Sequence, residues 1–100
     1  MRRTISFHPD VFYEVSNAYA WYESRSSGLG EQFLTELENS YELIGITPLY
    51  WAKISGKYRK YLLKRFPFGV IYRVEKSEIY ITAVMHLSRK PDYWKKRIYK

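Results

Sequence analysis

Apolar residues recur along the first half of the chain at spacings of three and four, the period of an amphipathic α-helix. They predict one helix over residues 9–25 and a second over residues 29–45. The apolar stripe of the first helix comprises Phe12, Val15, Tyr19 and Tyr22, with Val11 and Ala18 beside them. That of the second comprises Phe33, Leu34, Leu37, Tyr41 and Ile44. The break between them is short, so the pattern predicts an antiparallel helix hairpin, with Ser27 capping the second helix.

The remaining segments alternate apolar and polar residues with a period of two, which is typical of β-strands. Strands are predicted over residues 3–8, 58–65, 70–74 and 78–86, with a loop over 46–57 and a turn over 66–69. One or two basic helical turns are expected over 92–99. In the last strand, Ile79, Ile81, Ala83 and Met85 share a face that should contact the helices, opposite Tyr80, Thr82, Val84 and His86.

This order of elements predicts a single α+β domain over residues 1–100. It would have two layers, an antiparallel meander and the helix hairpin that covers one side of it. The chain has no cysteine and two histidines, a poor basis for a metal site, so neither a metal nor a cofactor is predicted. No apolar run approaches the ~18 residues of a membrane span, and no signal-peptide core is present, so a cytoplasmic protein with no membrane partner is expected.

Charge is divided sharply between the two halves. Residues 1–50 carry three arginines against seven carboxylates, a net charge of −4, whereas residues 51–100 carry fourteen lysines and arginines against three carboxylates, a net charge of +11. The acids of the second helix, Glu31, Glu36, Glu38 and Glu42, fall on its predicted wet face. The bases fall along the predicted sheet and tail, among many of the eleven tyrosines. This distribution suggests a surface for a polyanion or an acidic partner.

A set of short stretches resembles the RelE/ParE superfamily of toxins from toxin–antitoxin systems. The stretches are 20–23 and 28–34 in the helix hairpin, Pro48, then 58–59, 65–68, 71–74, 83–86, Arg89 and 93–94. The resemblance covers nearly the whole chain and implies a β-α-α-β-β-β fold, growth arrest and neutralisation by a cognate antitoxin. RelE-like members cleave mRNA, usually on the ribosome, whereas ParE-like members poison DNA gyrase without catalytic residues of their own.

Under the RelE-like hypothesis the substrate's own 2′-OH attacks the phosphate, so the protein must supply cations and a proton donor or acceptor but no metal. The candidate catalytic residues are His86, Arg59, Arg65 and Arg89; some nuclease members carry a catalytic histidine at the position of His86. Candidate contacts to nucleic acid or another target are Lys53, Lys57, Tyr72, Arg73 and Lys90.

Each candidate has a structural alternative. His86 is either a general acid or base, or a residue that caps the strand end with a hydrogen bond. Arg59 and Arg65, six apart on one predicted strand, share a face and form either an anion clamp or a solvated edge. Tyr72 is favoured as a partly buried residue. The functional alternatives to mRNA cleavage are inhibition of DNA gyrase and a degenerate toxin that only binds its antitoxin.

Overall fold

The computed structural model describes residues 3–97, and every statement about the structure refers to them. A strand, two helices, four strands and a short 3₁₀ turn follow one another along the chain. Their bounds are β1 Thr4–Phe7, α1 Asp10–Arg25, α2 Leu29–Ile46, β2 Lys53–Ser55, β3 Tyr58–Leu62, β4 Phe68–Val74, β5 Glu78–His86 and the C-terminal 3₁₀ turn Tyr93–Lys96. Both helices agree with the predicted bounds to within one residue. The end of the predicted tail, at Tyr99, lies outside the described residues.

The strands form one sheet in the order β1-β5-β4-β3-β2. The four strands from β2 to β5 are antiparallel, and β1 adds to the edge parallel to β5. With the helix hairpin on one side, this confirms the two-layer α+β fold. The loop predicted over 46–57 is wrong in part, because it contains β2, which pairs with β3 through a turn at Gly56, where φ is +53°.

The strand predicted over 58–65 is shorter than expected. It ends at Leu62, where the backbone N–H of Leu63 donates to the carbonyl of Phe68 and closes the connection to β4. The N–H groups of Lys64 and Arg65 instead donate to the carboxylate of Glu36 on α2. Two predictions fail here: Arg65 is not on the strand of Arg59, and Glu36 is not simply a solvated acid.

A β-bulge at Thr82 changes which residues of β5 point towards the helices. Ile71 of β4 lies opposite Ala83, whereas the next residue, Tyr72, lies opposite Ile81, so Thr82 is an extra residue on the β5 side. An inserted residue reverses the inward and outward alternation beyond it. Thr82 itself is fully buried.

The predicted single apolar face of β5 is therefore wrong beyond the bulge. Ile79 and Ile81 belong to the core beneath the helices, as expected, but there they are joined by Val84. Ala83 and Met85 point to the opposite side of the sheet, where they pack with Trp94 of the C-terminal 3₁₀ turn. A strict two-residue period cannot anticipate the change, because the bulge arises from pairing with a distant strand.

The core between the layers is built on α1 and α2. Its buried helix residues are Val11, Ala18, Tyr22, Phe33, Leu37 and Ile44. The stripe of α1 is centred on Val11, Ala18 and Tyr22, and Phe12, predicted to be buried, is 69% exposed beside it. The rest of the predicted stripe is buried or half-buried, so Phe12 alone is wrongly assigned to it.

The hairpin turn is closed by Glu23 rather than by Ser27. Gly28 is the N-cap of α2, with φ +88° and no side-chain cap of its own. The Glu23 carboxylate accepts the N–H groups of Gly28 and Gly30, both at 2.9 Å. A carboxylate is the favoured group at a helix N-terminus, since it satisfies free N–H donors and complements the helix dipole. The predicted Ser27 cap is wrong because α1 already supplies this anion.

Candidate functional site

The imidazole of His86 is fixed at the end of β5. Its Nδ1 accepts the backbone N–H of Ser88 at 3.0 Å and lies 2.7 Å from the Ser88 hydroxyl. The ring packs edge-to-face on Phe68, with centroids 5.0 Å apart. Because a backbone N–H can only donate, the neutral ring carries its proton on Nε2. This geometry matches the strand-end alternative, because Nδ1 is occupied by Ser88 and Nε2–H is left as the hydrogen-bond donor of the ring.

A groove of about 390 Å³ lies beside His86 between α1 and the end of β5. Its lining includes Asn17, Trp21, Ser88 and Arg89. The indole of Trp21 is 54% exposed. Arg89 is exposed, and its guanidinium lies 3.8 Å from the centre of the Tyr93 ring. The backbone N–H of Arg89 donates to the His86 carbonyl. His86 and Arg89 therefore line the same groove.

Arg59 is bound to its own chain. Its Nη1 donates to the carbonyls of Leu49, at 3.1 Å, and Trp51, at 2.7 Å. These carbonyls belong to the loop between α2 and β2, which the guanidinium holds against β3. Because Nη1 already donates to two backbone carbonyls, the contacts favour a structural role over a clamp.

Arg65 lies in a different place, beside α2. It is exposed, its guanidinium donates to the Gln32 side chain, and it sits 5.5 Å from the centre of the Phe66 ring. It lines a second groove, of about 550 Å³, with Tyr61 and Lys64. Neither Arg59 nor Arg65 lines the groove of His86.

Tyr72 and Arg73 are tied into the protein. Tyr72 is fully buried, and its hydroxyl donates to the Pro48 carbonyl at 2.7 Å. Burial raises the pKa of the Tyr72 phenol to about 12, which removes it from proton transfer near neutral pH. Arg73 pairs with Glu75 and lies over the ring of Tyr58. Tyr72 is thus a core residue, as favoured from the sequence.

The three lysines predicted to contact a target are exposed but far apart along the sheet. Lys53 lies on β2 and Lys57 in the turn after it, at the opposite edge from β1. Lys90 follows β5 and lines a wide basic groove of about 840 Å³ with Lys95 and Lys96. The structure therefore places these lysines in two separate regions.

Glu14 is a residue that sequence analysis missed. One oxygen accepts the N–H of Val84 at 2.9 Å, and the other accepts the Tyr93 hydroxyl and the Arg97 guanidinium, the latter at 2.8 Å. Burial, and after it hydrogen bonding to this carboxylate, raise the pKa of the Tyr93 phenol. The available signal was position: Glu14 follows Val11 by three and precedes Ala18 by four, so it lies on the buried stripe of α1.

Among residues 3–97, no three acids or histidines are close enough together to form a metal-binding group. In the same range, no helix is both long and apolar enough to span a bilayer.

No protein-family model and no curated protein matches the sequence. Among solved structures, a chain described as the chromosomal ParDE TA system from P. aeruginosa has the same fold, with a TM-score of 0.64. The alignment covers 86% of this chain and 97% of that chain, at 17% sequence identity. At that identity the likeness is one of fold. The chain therefore shares the fold of that structure, as the resemblance in its sequence implies.

Proposed function

We propose that this protein is the toxin of a toxin–antitoxin system and that it acts by binding a protein target, as ParE-like toxins act on DNA gyrase. The fold shared with the ParDE system supports the first part of the proposal. The second part is supported by one observation: the four candidate catalytic residues are not gathered around one point.

Metal-free cleavage of RNA needs several cations and a proton donor and acceptor around a single phosphate. Arg59 donates instead to two carbonyls of the loop between α2 and β2, and Arg65 lies beside α2. His86 accepts a backbone N–H at the nitrogen that would otherwise take up a proton. A toxin that acts through its surface requires none of these residues to meet.

Endoribonuclease action on ribosome-bound mRNA is the second candidate, and the groove of His86 favours it. His86 and Arg89 line this groove with the half-exposed indole of Trp21. Indole faces stack on unpaired bases, and a free guanidinium binds phosphate. In this arrangement the Nε2–H of His86 would donate a hydrogen bond to a phosphate oxygen, and the proton donor and acceptor would come from elsewhere.

Two assays on the same protein separate the candidates. The first is expression in a bacterial host, without antitoxin, of the wild type, His86→Ala, Arg89→Ala and the surface control Lys76→Ala, with mapping of mRNA 5′ ends. The second is DNA supercoiling by purified gyrase in the presence of the purified toxin.

We expect growth arrest without new mRNA ends in all four proteins, and loss of supercoiling at micromolar toxin. New ends that disappear in His86→Ala or Arg89→Ala but persist in Lys76→Ala would replace this proposal with the ribonuclease. Normal growth of the wild-type strain would contradict both, and would favour a degenerate toxin that only binds its antitoxin.

A further inference from the structure

A wide groove of about 840 Å³ lies where the residues after β5 meet the junction of β1 and α1. We call it the C-terminal basic groove. Five cationic side chains and two carboxylates line it, a net charge of +3. A concave surface with one dominant sign of charge concentrates ligands of the opposite sign. The cations are Arg89, Lys90, Lys95, Lys96 and Arg97.

The carboxylates at the groove are concentrated around one of these cations. Asp10 lies 3.9 Å from Nε of Arg97 and 4.0 Å from Nδ1 of His8. Glu14 pairs with the same Arg97 at 2.8 Å, and counting it lowers the net charge to +2. The other lining acid is Asp92, which is exposed. Within residues 3–97, the remaining four cations form no ion pair with any carboxylate.

The backbone that carries two of the lysines is fixed. Lys95 and Lys96 belong to the C-terminal 3₁₀ turn, whose Trp94 is 1% exposed and packs against β4 and β5. The indole Nε1 of Trp94 donates to the Pro91 carbonyl at 2.9 Å. A surface whose backbone is ordered before binding loses less conformational entropy on binding, which favours affinity.

The composition of the groove favours a nucleic acid over an acidic protein. Interfaces between proteins are poor in lysine and are anchored by apolar and aromatic side chains. The part of the lining that lies within residues 3–97 contains no Val, Leu, Ile, Met, Phe or Trp. Interfaces with DNA are more polar and much more positively charged, as this groove is.

The groove also favours a duplex over a single strand. Proteins that bind single strands stack the bases on exposed aromatic rings. Tyr93 supplies the one phenol in the described lining, and the guanidinium groups of Arg89 and Arg97 lie 3.8 and 5.0 Å from the centre of its ring. The groove therefore offers cations for phosphates rather than a platform for bases.

We infer that the C-terminal basic groove binds the phosphate backbone of double-stranded DNA. The inference rests on the proposed function for the source of this DNA, because gyrase acts on duplex DNA and a toxin bound to gyrase would meet both. Lysine and arginine contacts to phosphates read no base, so the binding would be independent of sequence. The groove would thus add a DNA contact to the contacts that the toxin makes with the enzyme.

The direct test measures binding of the full chain to a short labelled DNA duplex of mixed sequence, by fluorescence anisotropy over a range of salt concentrations. The informative variant is Lys96→Glu, and Lys95→Glu is the second variant should the first fail to fold. The matched control is Lys76→Glu, which makes the same change in net charge. Lys76 is exposed in the turn before β5, whereas the groove lies beyond the other end of that strand. Each variant is checked by thermal unfolding.

We expect the logarithm of the wild-type affinity to fall with the logarithm of the salt concentration with a slope of about −3 to −4, as for four cations on phosphates. Lys96→Glu should weaken binding about fivefold or more and make the slope shallower by about one, whereas Lys76→Glu should change the affinity less than about twofold. Absence of binding by the wild type, unchanged affinity in Lys96→Glu or an equal loss in Lys76→Glu would overturn the inference.

Two competitors distinguish duplex DNA from other polyanions. Single-stranded RNA of the same length and polyglutamate are each added to the complex of the wild type with the labelled duplex. We expect both to displace it less readily than unlabelled duplex DNA does. Equal or easier displacement by the RNA would assign the groove to single strands, and by polyglutamate to an acidic protein, and either result would overturn the inference.

Supercoiling assays with gyrase separate this inference from the proposed function. Lys96→Glu should need about fivefold more toxin than the wild type for equal inhibition, and Lys76→Glu should not. A wild type that binds duplex DNA through Lys96 but leaves supercoiling intact would remove gyrase as the target and leave the groove a DNA site. Inhibition by the wild type that Lys96→Glu does not weaken would overturn the inference and leave the proposed function in place.

Discussion

Arginine side chains with the same charge have unlike roles in this protein because they have unlike neighbours. The guanidinium of Arg59 reaches the carbonyls of Leu49 and Trp51, which have no partner in a strand or helix at that point of the loop. Arg65 is exposed and meets a side-chain amide. A charged donor to a part-buried carbonyl, such as that of Trp51, stabilises the fold, whereas an exposed contact contributes little.

This difference predicts the stability of two variants. Arg59→Ala should lower the free energy of unfolding by about 1–2 kcal/mol, because two carbonyls lose a charged donor. Arg65→Ala, the matched control, should stay within about 0.5 kcal/mol of the wild type. Urea denaturation followed by tryptophan fluorescence measures both, and an equal effect of the two substitutions would contradict the assigned role of Arg59.

Separate helices and strands are joined where one side chain forms hydrogen bonds to residues of several elements. Glu14 of α1 binds the backbone of β5 just beyond the bulge, where β1 has ended and Val84 would otherwise lack an acceptor. The same carboxylate holds Tyr93 and Arg97, and Arg97 donates to the carbonyl of Thr82 at 2.9 Å. One helix side chain thereby connects the bulge and the C-terminal 3₁₀ turn.

Removing the charge of Glu14 tests this junction. Glu14→Gln should lower the free energy of unfolding by about 2–4 kcal/mol, because the largely buried guanidinium of Arg97 loses the nearer and more buried of its two carboxylates and keeps only Asp10. Amide hydrogen exchange should rise around residues 93–97 before it rises in α2. Glu38→Gln, at an exposed position of α2, is the control. Unchanged exchange in the C-terminal turn would show that Glu14 does not hold it.

The helix hairpin depends on a close approach at Gly30. A Cβ built there would lie 2.8 Å from the Tyr19 ring and 2.9 Å from the Glu23 carboxylate that caps α2. Alanine normally stabilises a helix relative to glycine, by about 1 kcal/mol in a helix interior. Here Gly30→Ala should destabilise the protein by about 1–3 kcal/mol, since helix and cap must move apart. A raised melting temperature would contradict this packing.

At the scale of the whole molecule, tyrosine is the residue that makes the core sensitive to alkali. Burial is the largest cause of a raised pKa at Tyr22, Tyr41, Tyr61, Tyr72 and Tyr80. Each of these phenols is easier to ionise once the chain has unfolded. The folded state therefore gains stability from neutral tyrosines, in full below about pH 10.

These phenols should therefore leave the free energy of unfolding unchanged between neutral pH and about pH 10. It should then fall as the pH rises from about 10 through 12, the pKa of Tyr72 in the folded state. Tyr72→Phe should cost about 1 kcal/mol at pH 8, because it loses the bond to Pro48, but should show a shallower alkaline decline. Urea denaturation between pH 8 and 11.5 measures both slopes. Identical slopes would contradict the role of Tyr72.

Local patterns were sufficient for most of the architecture. The bounds of both helices, the span of β5 and the two-layer arrangement follow from the spacing of apolar residues, because a helix or strand must bury one face wherever it packs. The short strand β2 was not predicted, because three residues are too few to show a period. The resemblance to RelE/ParE toxins followed from the same short stretches and agrees with the observed fold.

The arrangement of the candidate site followed from long-range contacts instead. Arg59 and Arg65 looked like partners by strand parity, but the early end of β3 and the anchoring of the 64–65 backbone on Glu36 separated them. Residues as far apart in sequence as Glu14 and Arg97 met only through folding. Side-chain periodicity is a property of neighbouring residues, and it therefore determined which elements form. Segments tens of residues apart set the pairing register, the bulge and the partners of each charge. These long-range contacts determined which cations are free to bind.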